Sequence, residues 1–148
     1  MILASVKSLL VRDLRRLSKE IETYQHEQQI WATGGQISNS AGNLCLHLVG
    51  NLNTFVGKEL GGTSYVRDRD AEFSTKGVSR TELLKKIADT ITVVETTLNA
   101  MDPARLEEDF PIVVFDKKET IEYMLLHLCT HLDYHLGQVN YHRRLLDK

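Results

Sequence analysis

The sequence predicts an all-α protein of four helices, and three observations support this fold class. Apolar residues recur at steps of three and four in four separate segments, which is the period of a helix that buries one face. Capping patterns precede the last two segments, and glycine or proline follows the second and the third. With 148 residues, 42% of them hydrophobic and 26% charged, the chain is expected to form a single domain over residues 1–148.

The first two helices are predicted from their apolar stripes. The stripe of the first helix is Val6, Leu10, Leu14, Leu17, Ile21 and Tyr24. The second helix follows a polar, glycine-bearing stretch at 33–40, and Gly57 and the glycine pair at 61–62 are expected to end it. Its stripe is Leu44, Leu48, Leu52 and Val56.

The third and fourth helices are each predicted to open with a capping box. Ser79 precedes Glu82 by three residues at the third helix, and Pro103 is expected to stop it. Asp116 and Glu119 give the same spacing at the fourth helix, which is expected to run to about residue 146. The two stripes are Leu84, Ile87, Ile91, Val94, Leu98 and Met101, and then Ile121, Leu125, Leu128, Leu132, Leu136 and Val139.

Two connections are long. Residues 58–78 show no clear period and are expected to form a loop, and loops of that length are often functional. Because an extended chain spans about 3.3 Å per residue and a helix only about 1.5 Å, this loop can cross a whole bundle and leave helices two and three parallel. The second connection, 102–115, carries the apolar run 112–115, which we expect to be a short strand or a plug over the bundle end.

Charge and cysteine usage exclude several classes of protein. A net charge of −2 argues against a general nucleic-acid binder, which usually carries a basic stripe. The apolar N-terminal run is interrupted by basic residues at helical spacing, so neither a signal peptide nor a membrane span is expected. Cys45 and Cys129 lie inside helical patterns and are expected to be reduced thiols in a cytosolic setting.

Histidines on the fourth helix suggest a metal site. His127, His131 and His135 are spaced by four, so neighbouring pairs share a helix face and can converge on a metal. His47 sits against the apolar stripe of helix two and is the candidate third ligand. The spacing does not decide between the 127/131 pair and the 131/135 pair. It is also compatible with a row of hydrogen-bonded or solvated histidines that bind nothing.

Nearby thiol and carboxylate groups are poorly placed to be ligands. Cys45, Cys129 and Asp133 each lie two residues from a histidine of the proposed set. Two residues turn about 200° around a helix, so these side chains are expected to point away from the histidines. The cysteines are expected to be small buried hydrophobes.

Two motifs resemble a known family. Segment 43–51 reads Asn-Leu-Cys-Leu-His-Leu-Val-Gly-Asn, and segment 131–138 reads His-x-x-x-His-x-Gly-Gln. Together with the chain length, the four helices and the long connection between helices two and three, they resemble the DinB/YfiT-like superfamily of bacterial metal-binding helical bundles over nearly the whole chain. The closest likeness is to its uncharacterised branch.

The resemblance implies an up-down-down-up four-helix bundle with a three-histidine metal site at one end. Carried over by position, the ligands are His47, His131 and His135, and His127 becomes a neighbour of the site. Some relatives are thiol-dependent enzymes, such as maleylpyruvate isomerase-like and bacillithiol transferase-like proteins. No motif here identifies a thiol substrate.

Three neutral imidazoles leave coordination positions open, as in catalytic metal sites. Zinc and nickel suit imidazole ligands and are the expected metals, with iron and copper as alternatives. A divalent ion there can lower the pKa of a bound water or thiol. Other candidates to hydrogen-bond near the metal or to line a pocket are His127, Asn43, Asn51, Gln138, Tyr123, Trp31 and Tyr134.

The leading hypothesis is a metal-dependent hydrolase or thiol transferase that acts on an unidentified small molecule. The alternatives are a non-catalytic metal-binding or stress-response protein, and a structural dimer with incidental histidines. A homodimer is expected because apolar residues exceed one stripe per helix. These extra residues are Leu9, Leu46, Val93 and Leu126.

Overall fold

The computed structural model describes residues 1–148 and contains α-helices but no β-strand, as the sequence predicts. The α-helices are α1 (Ile2–Thr23), α2 (Ala41–Leu52), α3 (Arg69–Ser74), α4 (Arg80–Ala100) and α5 (Ile121–Leu146). A π-helix, Asn53–Lys58, continues α2, and short 3-10 helices lie at Glu27–Trp31 and Pro103–Glu107. None of the helices is long and apolar enough to span a membrane.

Side-chain caps fix the starts of α2 and α4. The hydroxyl of Ser40 accepts a hydrogen bond from the backbone N–H of Asn43 at 3.1 Å. The hydroxyl of Ser79 accepts one from the N–H of Glu82 at 3.2 Å, so the capping residue predicted for the third long helix is confirmed.

The predicted start of the last helix was wrong. Helix α5 begins at Ile121 with Thr120 as its cap, and Asp116 lies outside it. The backbone N–H of Phe110 donates to the carbonyl of Glu119 at 2.8 Å, which holds the chain extended up to the cap. The apolar run 112–115 forms no strand.

The connection 58–78, expected to be a loop, contains helix α3. The side chain of Asp68 caps this helix by accepting from the N–H of Ala71. Asn43 of α2 donates from Nδ2 to the backbone carbonyls of Glu72 and Thr75, at 2.9 and 2.8 Å. These two bonds fasten α3 against α2.

The long helices pack in definite directions. Lys7 near the start of α1 donates to Asn99 at the end of α4, so these two helices run in opposite directions. Val6 contacts Cys129, and Glu20 pairs with Arg143 at 2.7 Å, so α1 and α5 run the same way.

The π-helix runs beside α4. Asn53 donates from Nδ2 to the carbonyl of Val49 and to the hydroxyl of Thr90, at 2.8 and 2.9 Å. One turn beyond the π-helix, Gly61 lies against Thr97. The later residue of the α2 side, Gly61, contacts the later residue of α4, Thr97, so α2 with its π-helical extension runs parallel to α4.

The buried side chains form one hydrophobic core. Every stripe residue predicted for the first, second and fourth long helices is buried. In α4, however, Leu84 and Ile91 are only half-buried, whereas the polar residues Thr90 and Thr97 are buried. Thr90 can be buried because its hydroxyl donates to the carbonyl of Lys86 at 2.7 Å.

Candidate metal centre

Three histidines meet between α2 and α5. His47, His131 and His135 each offer one nitrogen, and these nitrogens all lie within 4.8 Å of one another. Nε2 of His47 is 3.2 Å from Nε2 of His131. His127, one turn before His131, is not in this group, and its ring packs on Phe115 at a centroid distance of 4.8 Å.

The spacing of the nitrogens fits a bound metal. Two imidazole nitrogens that each lie about 2.0–2.1 Å from one ion are about 2.9–3.4 Å apart at octahedral or tetrahedral angles. The 3.2 Å between His47 and His131 falls in that range. The nitrogen of His135 lies within 4.8 Å of the other two, so the half-buried side chain of His135 would have to shift to complete the coordination. The cluster can therefore bind a metal ion.

A buried carboxylate orients His47. Nδ1 of His47 donates to Oε1 of Glu72 at 3.0 Å, since an ionised carboxylate only accepts. The lone pair of the ring is then on Nε2, which faces His131. A histidine that donates one N–H to a carboxylate and presents the other nitrogen is the usual arrangement of a metal ligand.

Arg67 balances the charge of that carboxylate. Its Nε donates to Oε2 of Glu72 at 2.8 Å, and its Nη2 donates to Oε1 at 3.0 Å. Such a two-point ion pair fixes the plane of the carboxylate as well as its position. Gly50 leaves room for it, because a Cβ at residue 50 would overlap the Glu72 carboxylate.

Burial favours the neutral, metal-binding form of His47 and His131. Burial lowers the pKa of His47, more strongly than its hydrogen bond to Glu72 raises it. Burial, and then the positive charges that His135 and His47 would carry, lower the pKa of His131 to about 4. Both rings are therefore neutral near pH 7. Nδ1 of His131 is buried without a partner, whereas its Nε2 faces His47.

Gln138, a candidate from the sequence, contacts the cluster directly. Its Oε1 lies 2.6 Å from Nδ1 of His135 and accepts a hydrogen bond from the N–H at that position. His135 then keeps its lone pair on Nε2. Asn51 is buried and its Oδ1 has no partner.

The remaining candidates have other contacts. Asn43 does not hydrogen-bond to the histidines, because both of its N–H groups hold α3 in place. Trp31 lies over Gly42 and donates to the carbonyl of Val78 at 3.2 Å, so it serves the fold. Tyr123 is half-exposed beside Phe115. The ring of Tyr134 is exposed and lies 5.3 Å from that of His135.

The two cysteines stay outside the cluster, as expected. Both are free thiols. Burial raises the pKa of Cys45 to about 12 and that of Cys129 to about 11. Neither is a thiolate near neutral pH, the form that binds metals and attacks substrates.

Sequence reasoning missed Glu72, Arg67 and Phe73. The ring of Phe73 lies 5.0 Å from that of His47, on the side of the ring that faces α3. All three residues belong to the connection 58–78, where no helical period is visible. The only signal available was the length of that connection.

These observations define a class: an all-helical protein with a cluster of three histidines that could bind a metal ion. The chain belongs to the family described as "Protein of unknown function (DUF1572)", whose sequence model matches residues 2–148. No curated protein matches the chain.

Proposed function

We propose that the protein is a DinB-like metal-dependent enzyme in which His47, His131 and His135 hold one divalent ion, zinc or nickel. The proposed reaction is hydrolysis or thiol transfer on a small molecule. One observation carries the proposal. Two imidazole nitrogens on different helices lie 3.2 Å apart, and a buried carboxylate orients the ring that supplies one of them. Such an oriented pair of nitrogens is the arrangement that a shared metal ion would require.

We infer that the four long helices form an up-down-down-up bundle. The antiparallel contact of α1 with α4 and the parallel contact of α1 with α5 support this topology. So does the parallel run of α2 beside α4. Leu44 near the start of α2 shares a cavity with Leu145 near the end of α5. His47, which comes later in α2, contacts His131, which comes earlier in α5. These two contacts favour an antiparallel arrangement of α2 and α5.

The chemistry follows from an open site. A bound ion supplies Lewis acidity, which lowers the pKa of a water or thiol beside it. No cysteine or carboxylate joins the three histidines in the cluster, so coordination positions stay available for substrate. Both oxygens of Glu72 are engaged by Arg67 and His47, so its role is to orient His47 and not to move a proton.

Metal analysis tests the proposal. The protein is purified without a histidine tag, incubated with zinc or nickel, desalted and measured by mass spectrometry of the elements. The expected result is one ion per chain. Turnover is then sought with panels of esters, amides and thiol acceptors. Absence of metal after loading would falsify the metal site, and metal without any turnover would favour the non-catalytic alternative. The protein is also proposed to be cytosolic, and the free thiols of Cys45 and Cys129 support such a reducing location.

A further inference from the structure

A cavity of about 460 Å³ opens beside the histidine cluster. It lies between the second half of α5 and the segment just before α2. This volume is within the range that accommodates small-molecule ligands. His135 and Gln138 both line the cavity and are hydrogen-bonded to each other. A molecule in the cavity would therefore contact His135, one of the three proposed ligands.

The cavity wall carries apolar surface on opposite sides. Ile37 and Leu44 line it from the α2 side, and Leu145 lines it from α5. Tyr134 and Tyr141 add aromatic surface, and both rings are mostly exposed. Three exposed polar residues, Gln36, Ser38 and Asn39, also line the cavity just before α2. The apolar side chains and aromatic rings favour a ligand that has a hydrocarbon portion.

The lining contains no aspartate, glutamate, lysine or arginine. His142 in the wall is also uncharged, because its Nε2 donates to the carbonyl of Ala32 and its Nδ1 accepts from the hydroxyl of Tyr24. An anionic group placed here would lose hydration, and the lining itself supplies no cation to pair with it. The guanidinium of Arg144 lies outside the lining, stacked on the ring of Tyr141 at 4.9 Å from its centroid. The cavity is therefore suited to an uncharged group.

We propose that this cavity is the substrate subsite and that it binds the apolar, uncharged tail of a substrate whose polar end faces His135. The proposal rests on the metal site proposed above and adds a substrate class to it. A substrate whose tail ends in a carboxylate is rejected.

Hydroxamic acids test the proposal, because their head group chelates metals and their tail can be varied. Cobalt-loaded protein is titrated with acetohydroxamic acid, with hexanohydroxamic acid, and with adipic monohydroxamic acid, which has the six-carbon chain with a terminal carboxylate. Binding is followed by the visible absorption of Co²⁺. The hexanoyl compound should bind at least about tenfold more tightly than the acetyl compound, since each buried methylene adds affinity. The adipic compound should gain little over the acetyl compound.

Two variants locate the tail. Ile37→Trp is expected to fill the cavity from the α2 side, and Leu145→Trp is expected to fill it from the α5 side. Because Leu145 is half-exposed, its replacement is expected to leave the fold intact. Both should abolish the advantage of hexanohydroxamate and leave the affinity for acetohydroxamate unchanged. The matched control is Ile2→Trp, an exposed isoleucine at the start of α1 outside the cavity.

The outcomes separate the two proposals. If acetohydroxamate binds but the tails make no difference, or the carboxylate tail binds as well as the apolar one, the cavity proposal is wrong and the metal site stands. If both cavity variants keep the tenfold advantage, the tail lies elsewhere and the cavity proposal is likewise overturned. If no cobalt binds, the proposed function itself fails, and with it the subsite.

Discussion

Glu72 accepts a hydrogen bond from Nδ1 of His47 at 3.0 Å, across the contact between α3 and α2. The carboxylate therefore sets both the orientation and the tautomer of one histidine of the cluster. Because Glu72 belongs to a connection and His47 to a long helix, the geometry of the site depends on α3 staying docked.

The histidine cluster predicts which residues hold the metal. His47→Ala, His131→Ala and His135→Ala should each lose most bound metal, because each removes one of three convergent nitrogens. His127→Ala is the matched control and should lose little. Metal content per chain, measured after loading and desalting, checks this. The ligand set is wrong if His127→Ala empties the site while His135→Ala does not.

The carboxylate beside His47 predicts an effect on metal affinity. Glu72→Gln should weaken metal binding about 10- to 100-fold, because a neutral amide holds the imidazole less firmly and leaves Arg67 without its counter-ion. Asp70→Asn, an exposed acid in the same helix, should have no effect. Competition with a chromophoric chelator measures both. Equal affinities for the two variants would remove Glu72 from the site.

Gly50 predicts a steric effect on the same carboxylate. Gly50→Ala should lower the free energy of unfolding by about 1–3 kcal/mol, because the new methyl group overlaps Glu72. Gly137→Ala is a control in α5, where a Cβ meets nothing within 4 Å, and it should raise stability by about 0.5–1 kcal/mol. Urea denaturation of the metal-free proteins gives both values. A neutral Gly50→Ala would mean that Glu72 moves aside without cost.

The lowered pKa values predict how stability depends on pH. His131 has a pKa of about 4 in the folded protein and the usual 6.5 when unfolded, so between these values the unfolded chain binds more protons. The metal-free protein should be folded at pH 7.5 and lose stability as pH falls from about 6.5 toward 4.

Protons also compete with metal for the same nitrogens, so the stability added by metal should shrink over the acidic range as well. Thermal melting of loaded and metal-free protein from pH 5 to 8 tests this, and His131→Gln should flatten the pH dependence of the metal-free protein. Identical melting of both forms at every pH would exclude a metal of useful affinity. A metal-free protein that is unfolded at pH 7.5 would make the metal structural.

Exposed apolar residues predict a homodimer. Leu9 and Leu126 are about 40% exposed, and Leu46 and Val93 are half-buried. Light scattering at micromolar concentration should give twice the 16.9 kDa chain mass. Leu126→Glu should shift the protein toward monomer if α5 contributes to the interface. A monomeric mass for the unmodified protein would disprove the dimer.

The sequence predicted the long helices because these depend on local periods. The set His47, His131 and His135 came instead from the resemblance of two sequence motifs to a known family, since the histidine spacing alone left the 127/131 pair as an alternative. The sequence could not predict the position of Glu72, because α3 is only six residues long and is fixed by hydrogen bonds from Asn43. A six-residue helix is too short for an apolar period to be visible.

Two further errors have similar causes. The capping pattern at Asp116 was overridden by backbone pairing between Phe110 and Glu119, residues on either side of it in the chain. In α4 the hydrophobic pattern favoured Ile91, but Thr90 is the buried residue, and a hydrogen bond within its own helix satisfies its hydroxyl there. Such hydrogen bonds cannot be predicted from the pattern of apolar residues.

The close approach of Glu72 to Gly50 has a consequence for evolution within the family. A side chain at position 50 and a carboxylate at position 72 compete for the same space, so the two positions should covary across related sequences. A lineage that gains a larger residue at 50 should have lost its acid at 72, together with the arginine partner at 67. This covariation would reveal which relatives orient their helix-two histidine in the same way, even where α3 is too short to be aligned by pattern.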